Sequence, residues 1–140
     1  MKSLPIVYKT GCWSFIMVGI GHIVTSMFVP NTPERTKIIQ EMKNFSISML
    51  GTESNLYLFH EGFSLMMGIL LIAYGLINLS FIKLSMIPEK HIVVINFAVA
   101  LTALVISIRY FFIVPIVFLG TAFSCFLMAL IFNARSKSHS

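Results

Sequence analysis

The sequence predicts an all-α integral membrane protein. It has four spans in an up-down-up-down bundle and an extra amphipathic helix between the first and second spans. Three observations carry this reading. The chain is 57% hydrophobic and only 11% charged, where a soluble domain averages about 25% charged, and the mean hydropathy is +0.90. The apolar residues are gathered into four runs, each near the ~20 residues needed to cross ~30 Å of hydrocarbon. Turn-forming residues and most charges fall between those runs. At this length one domain, residues 1–140, is expected.

Residues 1–9 read as a short tail carrying Lys2 and Lys9, followed by a first span over about 11–29. A cleaved signal peptide is the rival reading. Against it, the apolar run exceeds the usual 7–15-residue core, His22 interrupts it, and no A-x-A-like site follows. Pro30-Asn31-Thr32-Pro33 stops the span. Thr32 is placed to cap a new helix, with Pro33 at its first position and Glu34 in its first turn. That helix is expected over about 33–50, because Ile38, Met42, Phe45 and Met49 recur on one face at helical spacing. Gly51 to Asn55 ends it.

The second span, about 56–82, opens with His60 and Glu61 and then runs without acid or base to Lys83. Glu61, Gly68 and Gly75 recur every seven residues, and Ser64 lies one turn from Glu61. Small residues on one face let a neighbouring helix approach closely, so this face is expected to point into the bundle. Residues 83–90 form a turn. The third span covers about 91–110, with Asn96, Ala100, Ala103 and Ser107 on a second packing face and Arg109 at its end. After a short connection over 111–114, Pro115 suits the first turn of a fourth span to about 132, in which Gly120 and Ser124 make a small-xxx-small pair. The tail NARSKSHS is polar and expected to be disordered.

The net charge of +5 does not imply nucleic acid as a partner. The basic residues are scattered at the ends of apolar runs, where they suit phospholipid headgroups, and no basic run of five occurs. Membrane lipids are the expected partners, with a homodimer or a larger membrane complex as the assembly. Cys12 and Cys125 form no CxxC and read as small packed thiols. With four spans, Lys2, Lys9, Lys83, Lys90, Arg135 and Lys137 fall on one side and Arg35, Lys37, Lys43 and Arg109 on the other. The positive-inside bias therefore puts both termini in the cytoplasm, with a bacterial inner membrane as the expected location.

Ionisable residues at membrane depth are costly and mark functional sites by default. Counting along the spans brings His22, His60, Glu61 and Arg109 to the outer half of the bundle, with Ser64 and Tyr57 at similar levels. An imidazole beside a carboxylate can move a proton near neutral pH, so His22 and Glu61 are the leading pair. The alternatives are a structural Glu61–Arg109 ion pair, a headgroup-facing His60, and His22 as a polar packing residue. A metal site from His22, His60 and Glu61 has suitable ligand types, but no HxxxH or HExxH spacing supports it. No cofactor is expected, a bis-histidine haem being the alternative weighed. Asn44-Phe45-Ser46 matches a glycosylation sequon, a pattern common by chance.

Three function classes follow. The first is a small protein that binds or transports an amphipathic or proton-coupled ligand. The second is an accessory subunit whose polar residues hold helices together. The third is a membrane enzyme using His22 or Glu61 as acid/base. Gly19-x-Gly21-His22 in the first span and His60-Glu61-Gly62 opening the second, in a four-span layout, resemble small bacterial membrane proteins of the DoxX-like group. That resemblance implies the topology and carries no site residues.

Overall fold

The computed structural model describes residues 3–28, 30, 32–82 and 89–137. Among them the elements run α1 (Ser3–Phe28), α2 (Pro33–Asn44), β1 (Ser46–Met49), β2 (Thr52–Asn55), α3 (Leu56–Ser80), α4 (Lys90–Tyr110) and α5 (Ile113–Lys137). The helices α1, α3, α4 and α5 are each long and apolar enough to cross a membrane.

Helix α1 begins well before residue 11, so most of the expected N-terminal tail is helical. The cause is a stripe that continues backwards along the sequence. Leu4, Tyr8, Cys12 and Phe15 are all buried, and Tyr8 packs edge-on against Phe126 of α5 at 5.3 Å. Pro5 is tolerated because it falls in the first turn, where its missing N–H has no intrahelical partner. At the other end of the chain α5 continues to Lys137, so residues 133–137 of the expected disordered tail are helical. The last three residues of that tail, and residues 83–88 of the expected turn, lie outside the described residues.

The amphipathic helix is shorter than expected. Thr32 caps α2, its hydroxyl accepting from the Arg35 amide, and Pro33 follows at the first helical position. The helix stops at Asn44, because Phe45 turns extended and residues 46–55 fold back as an antiparallel hairpin with Met49 paired to Thr52. A two-residue Leu50-Gly51 turn joins its strands, with φ of 51° and 80°. Both residues thus adopt the positive φ that a tight hairpin of this kind requires. Helical spacing of Phe45 and Met49 was compatible with either structure, and strand pairing prevailed.

Helices α1 and α3 pack closely. Contacts fall in opposite order along the two, from Ser26 with Glu61 to Tyr8 with Asn78, so this pair is antiparallel. The small face of α3 is what permits the approach. A Cβ added to Gly19 would sit 2.6 Å from the Gly68 carbonyl oxygen, and one added to Gly75 would sit 2.8 Å from the Cys12 carbonyl oxygen. In α4 the expected face is also confirmed, with Asn96, Ala100 and Ser107 buried. The Gly120–Ser124 pair of α5 does not mediate close packing. A Cβ at Gly120 would find nothing nearer than Leu104 at 4.0 Å; the buried face of α5 is Leu119, Ala122, Phe126 and Ala129.

Helix α1 packs on α3 and α5, and α5 packs on α4. Helices α3 and α4 are spaced more widely and are bridged by side chains. Large apolar side chains such as Ile69, Ile95, Ile108 and Val117 are more than half exposed on the outer faces. That distribution suits a hydrocarbon surrounding better than water.

Candidate functional site

Two polar layers cross the bundle, one toward each end. In the first, Tyr8, Tyr74, Asn78 and Asn96 form a three-helix network. The Tyr8 hydroxyl donates to Asn78 Oδ1 at 3.1 Å. Asn96 Nδ2 shares its hydrogens among Asn78 Oδ1 at 2.7 Å, the Tyr8 hydroxyl at 2.9 Å and the Ile92 carbonyl at 2.9 Å. The Tyr74 hydroxyl donates to Asn96 Oδ1, and Asn78 Nδ2 donates to the Tyr74 carbonyl. These groups satisfy one another, as buried polar groups must away from water.

The second layer holds the residues singled out from sequence. His22 on α1 meets Ser64 on α3, with Nε2 3.0 Å from the Ser64 hydroxyl. One turn further along α1, the Ser26 hydroxyl donates to Glu61 Oε2 at 3.3 Å. The imidazole and the carboxylate therefore come to the same end of the same helix pair, about one 5.4 Å turn apart. They do not bond each other; each is held by a serine on the opposite helix. His60, two-thirds exposed, lies beside Glu61 with Nδ1 3.9 Å from Oε1.

The remaining candidates do not converge on this point. Arg109 is exposed at the last turn of α4 and forms no ion pair among the described residues. Tyr57 turns toward α2, where Lys43 Nζ lies 5.1 Å from its ring centre. Among the described residues no group of His, Cys, Asp and Glu is arranged to hold a metal ion; His22, His60 and Glu61 are not grouped to do so. Cys12 and Cys125 are both free thiols.

Hollows surround His22. One of about 280 Å³ lies between α1 and the start of α5, bounded by Met17, Gly21, Thr25, Phe112 and Phe118. Another of about 150 Å³ is lined by all four long helices, through Val18, His22, Leu71, Ser107 and Leu119 among others. A groove of about 380 Å³ runs beside Ser26, Leu58 and Glu61 between α1 and α3. His22 is on the wall of the first two, and its ring meets Phe111 edge-on at 6.3 Å. Ser107 borders the four-helix hollow, but its hydroxyl is closed off from it and has no hydrogen-bond partner among the described residues.

Sequence reasoning placed Ser107 only as a packing residue and passed over Tyr8 and Tyr74. For Tyr8 a signal existed, since Leu4, Tyr8, Cys12 and Phe15 recur at helical spacing. For Tyr74 none did, because its hydroxyl has meaning only opposite Asn96. No family model, curated protein or solved structure matches this chain.

Proposed function

We propose that this is a small multi-pass membrane protein of four antiparallel spans that binds a small amphipathic ligand in the half of the bundle holding His22. The proposal includes a bacterial inner membrane, supported by the likeness in layout to the DoxX-like group. It also includes cytoplasmic termini, supported by the excess of Lys and Arg on the terminal side. In that orientation α2 and the hairpin lie outside, and the His22 layer belongs to the outer leaflet. Membrane lipids, and a second copy or a larger complex, are its proposed partners.

The observation that carries the ligand reading is the position of His22. It is fixed by Ser64 and stands on the walls of two hollows. Ligand sites are concave, mostly apolar, and contain a few placed polar groups. The accessory-subunit reading accounts well for the Asn96 layer, whose polar groups are paired. It leaves the hollows beside His22 without a role. The enzyme reading needs an acid and a base acting together, and His22 and Glu61 are held apart by their serines.

Photocrosslinking tests the proposal. A diazirine-bearing fatty alcohol, added to the protein in lipid nanodiscs, should modify residues 17–25 and 112–118 above all others when adducts are mapped by mass spectrometry. His22→Ala should redistribute those adducts. Labelling spread evenly over the exposed outer faces, unchanged in the variant, would overturn it.

A further inference from the structure

Glu61 borders a groove whose walls are otherwise mostly apolar. The groove, of about 380 Å³, runs between α1 and α3. Met27 and Leu58 stand at the end of the helix pair, near the last residue of α1 and the first of α3. Ile23 and Leu65 line it deeper along the same two helices. Met27, Leu58 and Leu65 are each at least half exposed. Gly62 lies between the two ends, and a Cβ built there meets nothing within 4 Å. The α3 wall therefore leaves room for a guest beside the carboxylate.

That carboxylate is accessible and partly engaged. The Glu61 side chain is 36% exposed. Ser26, on the opposite wall, donates to Oε2 at 3.3 Å. This takes one of the roughly four lone-pair sites that a carboxylate offers. His60 Nδ1 is 3.9 Å from Oε1, beyond hydrogen-bond length, and His60 does not line the groove. Among the described residues no Lys or Arg borders the groove. An acid on an apolar wall at membrane depth is costly until a cation joins it, so charge complementarity selects a cation carried on an apolar stem.

The donors and acceptors narrow the cation further. A primary ammonium has three N–H donors. It can donate to Glu61 Oε1 and to the Ser26 hydroxyl oxygen, whose own hydrogen is directed at Oε2. A quaternary ammonium has no donor for either atom. A headgroup that also carries phosphate would set a second anion beside Glu61 with no basic side chain on the wall to balance it, an unfavourable juxtaposition. A single alkyl chain extending from the ammonium would lie along Ile23 and Leu65, removing apolar surface on both sides.

We infer that the groove between α1 and α3 binds a single-chain primary alkylammonium ion, with Glu61 and Ser26 holding its head and Ile23 and Leu65 its chain. This goes beyond the ligand reading above, which rests on the hollows beside His22, and shares with it the membrane setting.

The test uses the full chain in phosphatidylcholine nanodiscs and two probes, dodecylamine and dodecanol, each ending in a trifluoromethyl group. Fluorine NMR follows saturable binding, with empty nanodiscs correcting for partition into lipid. The amine is charged at pH 7, as a lysine side chain is. Glu61→Gln should weaken the amine about tenfold, the worth of one charge-assisted hydrogen bond to a partly exposed carboxylate, and leave dodecanol unchanged. Gly62→Leu, whose Cβ has space and whose branches fill the groove, should abolish saturable binding of the amine while circular dichroism shows the helices intact. An amine affinity unchanged in Glu61→Gln, or an equal loss for both probes, would overturn the role of the carboxylate. Saturable amine binding that survives Gly62→Leu would overturn the groove assignment, and this variant decides the matter alone should Glu61→Gln fail to fold. Displacement of the amine when phosphatidylethanolamine replaces phosphatidylcholine would overturn the choice of a phosphate-free amine. No saturable amine binding by the wild type, with fatty-alcohol labelling around His22 retained, would sink this inference and leave the broader reading standing; loss of both signals sinks the two together.

Discussion

Removing the Asn96 side chain probes the buried network most directly. Asn96→Ala deletes three bonds between helices: to Tyr8 on α1, and to Asn78 and Tyr74 on α3. Interhelical hydrogen bonds in membrane bundles average about 0.6 kcal/mol and reach about 1.7. Three of them set an expected loss of about 2 kcal/mol. The value should lie toward the upper part of the range, because the Tyr74 hydroxyl loses its partner in a buried setting. Tyr8→Phe removes one donated and one accepted bond and should cost about 1 kcal/mol. The double variant should cost less than the two single losses together, since the Asn96–Tyr8 bond is counted in both. The assay is reversible unfolding in mixed micelles, followed by the fluorescence of Trp13, the sole tryptophan. It sits on the exposed side of α1, away from the substituted residues. Stability unchanged in Asn96→Ala, or strictly additive losses, would refute the idea that this network ties α4 to α1 and α3.

Other perturbations have clear expected outcomes. Gly19→Ala should destabilise by about 1–3 kcal/mol, because its Cβ would meet the α3 backbone at Gly68 and Ile72. Gly21→Ala, two residues on and facing open space, should be neutral or stabilising in the same unfolding assay. Leu50 is fully exposed and holds a φ of 51° at the hairpin tip. Leu50→Gly should relieve about 1 kcal/mol of backbone strain, read as slower hydrogen exchange of the hairpin amides. Ser107→Ala should raise the stability of the ligand-free protein by about 1 kcal/mol, since it removes a buried hydroxyl with no partner. A fall in stability would show that this hydroxyl is satisfied in the unliganded protein.

The four long apolar helices, the N-cap at Thr32 and the inward face of α3 were largely legible in the chain. They depend on local causes: run length, capping chemistry and the seven-residue recurrence of small residues. The ends were misjudged where distant contacts override local polarity. Lys9 and the polar residues around it suggested a tail, yet Tyr8 is drawn into the helix by Phe126 and Asn78. The segment 45–55 was misjudged because four or five residues cannot distinguish a helical stripe from a strand; pairing across the turn decided it.

For the site, sequence counting brought His22 and Glu61 to a common level, since rise per residue is fixed by helix geometry. It could not say what lies opposite each side chain, because that depends on the rotation of one helix against another. The structure interposes Ser64 and Ser26 where a direct pair was expected. It leaves Arg109 exposed, and it opens hollows beside His22 that no spacing in the sequence could disclose. Composition alone determined four long apolar helices, because the energy of keeping apolar residues out of water is summed along each run. Which polar atoms meet, and where space remains, was settled only by tertiary packing, because hydrogen bonds and cavities depend on ångström distances between residues far apart in the chain.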